Sequence, residues 1–184
     1  MRMNLMKKII ITGFAALLSI SCSGSEVNTP PKVSGTIIQA SAELFHEGTT
    51  YQFEKPVLVI GSTDETMGIL FFLKPEYQDR DGVLFFEFRR DFKPDPCLYD
   101  FSIFKTLPGY KREVKFSENG KFDSWHPHNV DQLKQINGGG ALGNMVPEKL
   151  GDNHYKYDCS KLDGLFAVLP RDTKLKAVFE LAPF

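Results

Sequence analysis

The segments "MGILFFLKP" (67–75) and "GVLFFEFRR" (82–90) decide the fold class of this 184-residue chain. In the second segment Leu84, Phe86 and Phe88 fall on one side of an extended chain, and the residues between them grade from apolar to charged. This alternation is typical of a strand with one buried face. The first segment is short and apolar on both sides, which predicts a strand in the interior of a sheet.

Segments of the same kind continue in both directions, and turn residues separate them. Sixteen Phe and six Tyr favour sheet over helix. Further strands are predicted at 32–45, 49–63, 97–107, 110–125, 154–160, 164–170 and 174–182, with turns at Glu47-Gly48, Asp81-Gly82 and Asn119-Gly120. The pattern predicts an all-β, mainly antiparallel domain, either a β-sandwich or an open barrel with one or two short helices.

One helix is predicted after residue 128. Asn129 is a suitable N-cap, and Gln132 follows it at the spacing of a capping box. Val130, Leu133 and Ile136 would lie along one side of this helix.

The stretch "GGGALG" (138–143) matches the glycine spacing of a dinucleotide-binding turn. That turn requires a strand before it and a helix after it, so that the helix N-terminus meets the pyrophosphate. Here the predicted helix comes first, and Pro147 interrupts the segment after the glycines. We therefore interpret Gly138 as the residue that ends the helix, and we predict no nucleotide cofactor.

Residues 1–21 have the three parts of a secretory signal. Arg2, Lys7 and Lys8 are basic, residues 9–20 are apolar, and small serines precede Cys22. The apolar stretch is shorter than the roughly 20 residues that a membrane-spanning helix needs. The start residue stays open among Met1, Met3 and Met6, because Lys7 and Lys8 follow each of them.

The sequence Leu18-Ser19-Ile20-Ser21-Cys22 resembles the lipobox of bacterial lipoproteins. It departs from the usual pattern at Ser19, where the family has Leu. The resemblance covers residues 1–26 and implies that Cys22 becomes an acylated, palmitate-carrying N-terminus. The alternative is a cut by a general signal peptidase after Ser19-Ile20-Ser21. With either cut, residues 22–32 are small and polar with paired prolines, and we expect them to form a flexible tether to a single domain over 33–184.

Cysteine parity agrees with lipidation of Cys22. An exported protein meets an oxidising compartment, in which unpaired thiols are a liability. If Cys22 carries lipid, Cys97 and Cys159 remain and predict one disulfide. The alternative for this pair is two buried free thiols.

The charge of the chain restricts its partners. The formal net charge is −1, and removal of Arg2, Lys7 and Lys8 with the signal makes the mature chain more acidic. This balance argues against nucleic acid as a partner. The partners that remain are the membrane, through the lipid, and a protein or carbohydrate ligand.

The stretch "FDSWHPHN" (122–129) is a candidate metal or ligand site. In an extended segment His126 and His128 would point to the same side, and imidazoles suit Zn or Cu. Further ligands would come from Asp123, Asp131 or His154. Trp125 could stack on a sugar or peptide. The plainer alternatives are a solvated His- and Asp-rich loop and a Trp that anchors the core.

No arrangement of nucleophile, base and orienting acid is evident. The sequence therefore favours a lipid-anchored β-domain that acts as a binding or structural component of the bacterial envelope. It would sit on the outer membrane, at the periplasmic or surface face. The alternatives are a metal- or carboxylate-dependent hydrolase that uses residues 122–131 and a secreted inhibitor or immunity-type protein.

Overall fold

The computed structural model describes residues 35–77, 79–117, 121–125, 128–161 and 170–182. The predicted turn at Asn119-Gly120 and most of the predicted strand 164–170 lie outside these residues. The strands are β1 (Thr36–His46), β2 (Thr49–Ile60), β3 (Thr66–Leu73), β4 (Arg80–Arg89), β5 (Asp95–Thr106), β6 (Val114–Phe116), β7 (Phe122–Trp125), β8 (Val130–Met145), β9 (Glu148–Gly151), β10 (His154–Asp158) and β11 (Thr173–Ala182). A short 3-10 helix spans Cys159–Lys161. Within the described ranges no helix has the length and apolarity to span a membrane.

Nine strands form one antiparallel sheet in the order β8-β5-β4-β3-β2-β1-β11-β10-β9, and β6 and β7 form a separate hairpin. The predicted all-β, antiparallel fold is confirmed, and β3 lies inside the sheet between β2 and β4, as its apolar sequence predicts. β8 and β9 stand at opposite ends of this order, but only Val146 and Pro147 separate them in the chain. The two edges of the sheet therefore meet at that corner, and the sheet is a curled, open barrel.

Aromatic contacts across the interior show the curl directly. The rings of Phe86 on β4 and Phe179 on β11 lie 5.7 Å apart, although β3, β2 and β1 lie between their strands in the sheet. Phe88 on β4 lies 4.7 Å from Tyr157 on β10. Leu84, Phe86 and Phe88 are buried in this inner core, as the alternation in β4 predicts.

A second apolar layer covers the outer face of β3, β4 and β5. The rings of Phe85 on β4 and Phe122 on β7 lie 4.9 Å apart, so the β6–β7 hairpin packs against this face. Residues of the outer layer that are buried in the sheet are Val59, Leu70, Val83 and Phe104. Because both faces of the central strands are covered, their sequences are apolar on both sides.

The predicted helix after residue 128 is wrong, because β8 occupies Val130–Met145. Asn129 has a positive φ of 55° and so does not have the extended conformation of an N-cap. β8 pairs with β5 along most of its length, but the register jumps from Ile103↔Ile136 to Lys105↔Asp131. Residues 132–135 therefore bulge outward, and Leu133 is 98% exposed.

The glycines of "GGGALG" lie in the strand and allow close pairing with β5. Gly139 lies opposite Asp100. A Cβ at Gly139 would come within 3.2 Å of the Tyr99 carbonyl oxygen. Gly138 pairs with Phe101 inside the strand, so its predicted role as the end of a helix is wrong.

The β1–β2 hairpin turns at Glu47 and Gly48, as predicted. Both have positive φ values, 45° and 81°, which is the conformation of a type I′ turn.

Replacement of Gly68 by Ala is expected to lower the free energy of unfolding by about 1–3 kcal/mol through overpacking. A Cβ at Gly68 would lie 2.3 Å from the Phe85 ring, which itself packs on Phe122. Denaturant unfolding measures the change. Gly151→Ala is the control, since its Cβ meets nothing closer than 3.9 Å. Equal effects of the two substitutions would contradict the tight packing at Gly68.

Candidate functional site

β1 and β2 pair at one end and separate at the other. Their pairing runs from His46↔Thr49 to Ala42↔Phe53 and then stops. Beyond it, residues 36–41 of β1 pair only with β11, and residues 54–60 of β2 pair mainly with β3. Two strand edges thus face each other with no strand between them in the described part of the chain.

Bulges on both strands produce this separation. On β2 the register shifts between Glu54 and Val57, so that Lys55 and Pro56 oppose a single residue of β3. Lys55 has a positive φ of 50°, and Pro56 has no N–H to donate to a neighbouring strand. On β1 the register shifts at Ile38, which is 51% exposed. Bulges of this kind bend a strand away from its partner.

The separation opens into a groove of about 640 Å³, which is the candidate functional site. Small side chains, Ala40, Ala42 and Ala177, lie along it, and longer polar side chains form its rim. The groove is lined by Ala40–Glu43, Gln52–Pro56, Lys74, Ser160 and Lys176–Val178. Its volume is within the range of about 300–1,000 Å³ that ligand sites commonly have.

Two of the three lysines at the rim pair with glutamates, and the third, Lys74, pairs with the neutral amide of Gln52. The pairs are Lys176–Glu43 at 3.0 Å, Lys55–Glu54 at 3.5 Å and Lys74–Gln52 at 2.6 Å between the nearest polar atoms. These side chains are largely exposed, so each pair contributes little to stability. A rim of this kind suits a ligand without a large net charge.

A second cavity, of about 340 Å³, lies where the β1–β2 hairpin faces the bulge of β8. Arg80 lines it, with its guanidinium carbon 5.9 Å from the centroid of the Tyr51 ring. This cavity has about half the volume of the groove, and we regard it as secondary.

A buried polar cluster of Asp81, Tyr110 and Arg112 holds the segment after β5 against the outer face of the sheet. The predicted turn at Asp81-Gly82 is wrong, because both residues lie in β4, where Asp81 is 6% exposed. Its carboxylate accepts hydrogen bonds from the Tyr110 hydroxyl at 2.5 Å and from Arg112 Nε at 2.8 Å. Burial, with the bond to Asp81, raises the pKa of Tyr110. Burial lowers the pKa of Arg112, but Asp81 and Tyr110 together outweigh it, so the pKa is raised overall. The cluster is closed and serves stability.

The groove and the Asp81 cluster were missed from sequence for different reasons. Lys55-Pro56 inside a strand-like segment was the available signal for the groove, because Pro in a strand marks an edge or a bulge. An Asp in a turn dipeptide is common, so nothing local distinguished Asp81 as buried.

The structure assigns separate partners to the described members of the predicted metal site. His128 is exposed and lies 2.9 Å from Glu113. Asp131 accepts a hydrogen bond from the backbone N–H of Leu133. His126 lies outside the described residues, and Asp123 and Trp125 belong to β7. His154 pairs instead with Glu180, at 3.1 Å. Among described side chains no three of His, Cys, Asp and Glu are placed to hold a metal.

The predicted disulfide is wrong for this structure. Cys97 and Cys159 are both buried and both free, and their sulfurs are not at bonding distance. The Cys159 thiol instead points at the Met145 sulfur, 3.8 Å away. The hydrogen bond with Cys97 and burial raise the pKa of Cys159.

We expect these thiols to resist modification in the folded chain at neutral pH. Because the thiolate is the nucleophile, a buried thiol with a raised pKa reacts slowly. In a Cys22→Ala chain, Ellman's reagent should detect almost no thiol before denaturation and both thiols in guanidinium chloride. Rapid reaction of the folded chain, or no reaction after denaturation, would contradict the free and buried state.

Comparison of the chain with protein-family models, with curated proteins and with solved structures gives no match.

Proposed function

We propose that this protein is an exported, lipid-anchored domain of the bacterial envelope that binds an extended segment of a partner protein. The anchor is Cys22, for which the basic start, the apolar stretch and the lipobox-like residues 18–22 are the support. Residues 23–32 supply a polar tether rich in small residues and prolines.

The observation that carries the binding function is the groove between β1 and β2. Residues 36–41 of β1 offer backbone N–H and C=O groups on the side that faces away from β11. An extended peptide satisfies such groups by adding a strand, and its main chain then supplies most of the affinity. The small side chains of Ala40 and Ala42 leave room for the peptide. Because the lysines at the rim already have partners, they do not compete for the hydrogen-bonding groups of the peptide backbone.

The groove also lies close to the anchor along the chain. β1, which forms one wall, is the first strand after the tether. A partner bound there is held within a tether length of the membrane surface. A carbohydrate ligand is the competing outcome.

Photocrosslinking in cells tests the groove. A benzoyl-phenylalanine placed at Ser41, an exposed residue that lines the groove, is expected to give a discrete adduct on irradiation. The same group at Thr50, exposed on β2 outside the groove, is the matched control and should give none.

Digestion identifies the class of partner. The proposal predicts that trypsin collapses the Ser41 adduct to a small product and that muramidase leaves it unchanged. Adducts of equal yield at both positions, or an adduct removed by muramidase alone, would contradict a protein partner in the groove.

A further inference from the structure

The smaller of the two cavities lies at one open end of the curled sheet, and we call it the mouth cavity. Alternation along β4 places Arg80 on the same face as Leu84 and Phe86, which belong to the inner core. His46 ends β1 and Thr49 begins β2, and both line the cavity together with Arg80. The mouth of a barrel is a common position for a ligand site, and a volume of about 340 Å³ suits a small ligand.

The guanidinium of Arg80 has no acidic partner among the described residues. Its central carbon lies 5.9 Å from the centroid of the Tyr51 ring, a cation–π contact that occupies none of its five N–H donors. Within the described ranges it takes part in no hydrogen bond or ion pair. Arg89, at the other end of β4, and Arg112 each pair with an aspartate. Arg80 therefore presents a positive charge and free donors to the cavity.

Other polar side chains of the wall are held in place by neighbours outside the cavity. The Nδ1 atom of His46 lies 2.8 Å from the Thr173 hydroxyl oxygen. The side-chain amide of Gln135 donates a hydrogen bond to the Ser102 hydroxyl at 2.7 Å. Side chains that are fixed in this way lose little conformational freedom when a ligand binds.

The charges around the cavity favour a ligand with one negative charge. Glu47 lines the cavity with a side chain that is 75% exposed, and its carboxylate lies 3.8 Å from His46. Lys134, also in the wall, is partly neutralised by Asp131 at 3.8 Å. Both acids repel a doubly charged group such as phosphate. A carboxylate carries a single charge, and its planar shape accepts two parallel hydrogen bonds from one guanidinium.

The remaining wall is apolar. Tyr51 is buried at 5% exposure, and Ile136 packs against the inner core. Leu133, on the bulge of β8, lines the cavity and is 98% exposed. A ligand with an apolar part beside its carboxylate would remove the Leu133 side chain from water, which is favourable.

We propose that the mouth cavity binds the carboxylate of a small apolar acid, with Arg80 as the group that receives it. Two sources share this chemistry, a free organic acid and the C-terminal residue of a peptide. Binding is reversible and forms no covalent bond. The site shares no lining residue with the groove between β1 and β2, and it does not depend on the lipid anchor.

Titration followed by backbone amide chemical shifts tests the site. The full chain carries Cys22→Ala, so that no lipid can be attached, and the probe is N-acetyl-L-phenylalanine. We expect saturable shifts at Thr49, Arg80 and Gln135 and none at Ala40 in the groove. The matched control is N-acetyl-L-phenylalaninamide, which has the same apolar part but no charge, and it should cause no saturable shift.

Two further probes identify the source of the carboxylate and the kind of anion. Phenylacetate has the carboxylate and the ring but no peptide group. Tighter binding of phenylacetate assigns the site to free acids, and tighter binding of N-acetyl-L-phenylalanine assigns it to peptide C-termini. Inorganic phosphate should bind more weakly than either, because Glu47 and Asp131 repel its second charge.

Variants separate Arg80 from the rest of the surface. Arg80→Gln should weaken binding of N-acetyl-L-phenylalanine by about 10- to 100-fold, the usual effect of losing hydrogen bonds to a charged group. Arg80→Lys keeps the charge without the planar fork and should weaken it by about three- to tenfold. Leu133→Ala should weaken it by about two- to tenfold, since less apolar surface is covered. Arg90→Gln, an exposed change next to the opposite end of β4, should leave the affinity unchanged. The thermal midpoint of each variant shows that it is folded.

Three results would overturn the proposal. The first is equal binding of the carboxylate and the amide probes. The second is an affinity of the folded Arg80→Gln chain equal to that of the parent chain. The third is tighter binding of inorganic phosphate than of both carboxylates.

Discussion

Replacement of Asp81 by Asn is expected to lower the free energy of unfolding by about 3 kcal/mol. The carboxylate of Asp81 receives Arg112 through two nitrogens, the Tyr110 hydroxyl and the backbone N–H of Gly82. The neutral amide leaves the half-buried guanidinium of Arg112 without a counter-charge. Loss of one partner of a buried pair is costly for this reason, even where the pair itself contributes little. Urea unfolding measures the loss.

An aspartate two residues away provides the control. Asp79 has a side chain that is 64% exposed, and it lies 3.6 Å from Lys105. Asp79→Asn should change the free energy of unfolding by less than about 1 kcal/mol, because the pair is exposed. In a double-mutant cycle, Arg112→Met should recover part of the Asp81→Asn loss by removing the unpaired cation. Strict additivity would show that Asp81 and Arg112 do not act together.

Replacement of Phe179 by Ala is expected to cost about 3–5 kcal/mol. Phe179 is fully buried on β11, and its ring lies 5.0 Å from Tyr157, 5.4 Å from Phe88 and 5.7 Å from Phe86. It therefore joins β11 to both β10 and β4 across the interior. Its removal leaves a cavity at the point where the two halves of the curled sheet meet.

Phe45→Ala is the matched control, because Phe45 on β1 is 37% exposed. It should cost roughly 1–2 kcal/mol, less than Phe179→Ala, because more than a third of Phe45 stays in water and its removal leaves no enclosed cavity. Similar losses for Phe45→Ala and Phe179→Ala would indicate a flat sheet without a shared interior. Unfolding followed by both fluorescence and circular dichroism checks that each variant still unfolds in one transition.

The strands were predictable because their patterns are local. The alternation of Leu84, Phe86 and Phe88 identified the inner face of β4, and Glu47-Gly48 identified a hairpin turn from residue type alone. The order of strands in the sheet was not predictable. It depends on contacts such as Phe86 with Phe179, between residues far apart in the chain.

The prediction of a helix after residue 128 failed for a physical reason. Leu133 and Ile136 have helical spacing, but β5 presents a free edge next to this segment. Pairing with that edge satisfies the backbone groups of Val130–Met145 and overrides local propensity. The bulge at 132–135 explains why an apolar residue such as Leu133 lies exposed in a strand.

The candidate functional site could be predicted from the sequence less well than the fold. The groove results from two bulges on different strands, at Ile38 and at Lys55-Pro56, and only their pairing registers bring them opposite each other. The sequence did point to Cys97 and Cys159 as neighbours, but not to their chemical state. Because both are free thiols here, cysteine parity no longer supports the lipidation of Cys22, and the support that remains is the basic start, the apolar stretch and the lipobox-like residues 18–22.

Metabolic labelling with a radioactive fatty acid decides whether Cys22 anchors this domain to the bacterial membrane. Cells that express the chain are labelled and the protein is isolated from detergent extracts. We expect label on the parent protein, no label on Cys22→Ala, and label of at least equal strength on Ser19→Leu, which restores the usual lipobox residue. An unlabelled parent protein whose mature N-terminus is a free Cys22 would contradict it, because a general signal peptidase would then have made the cut.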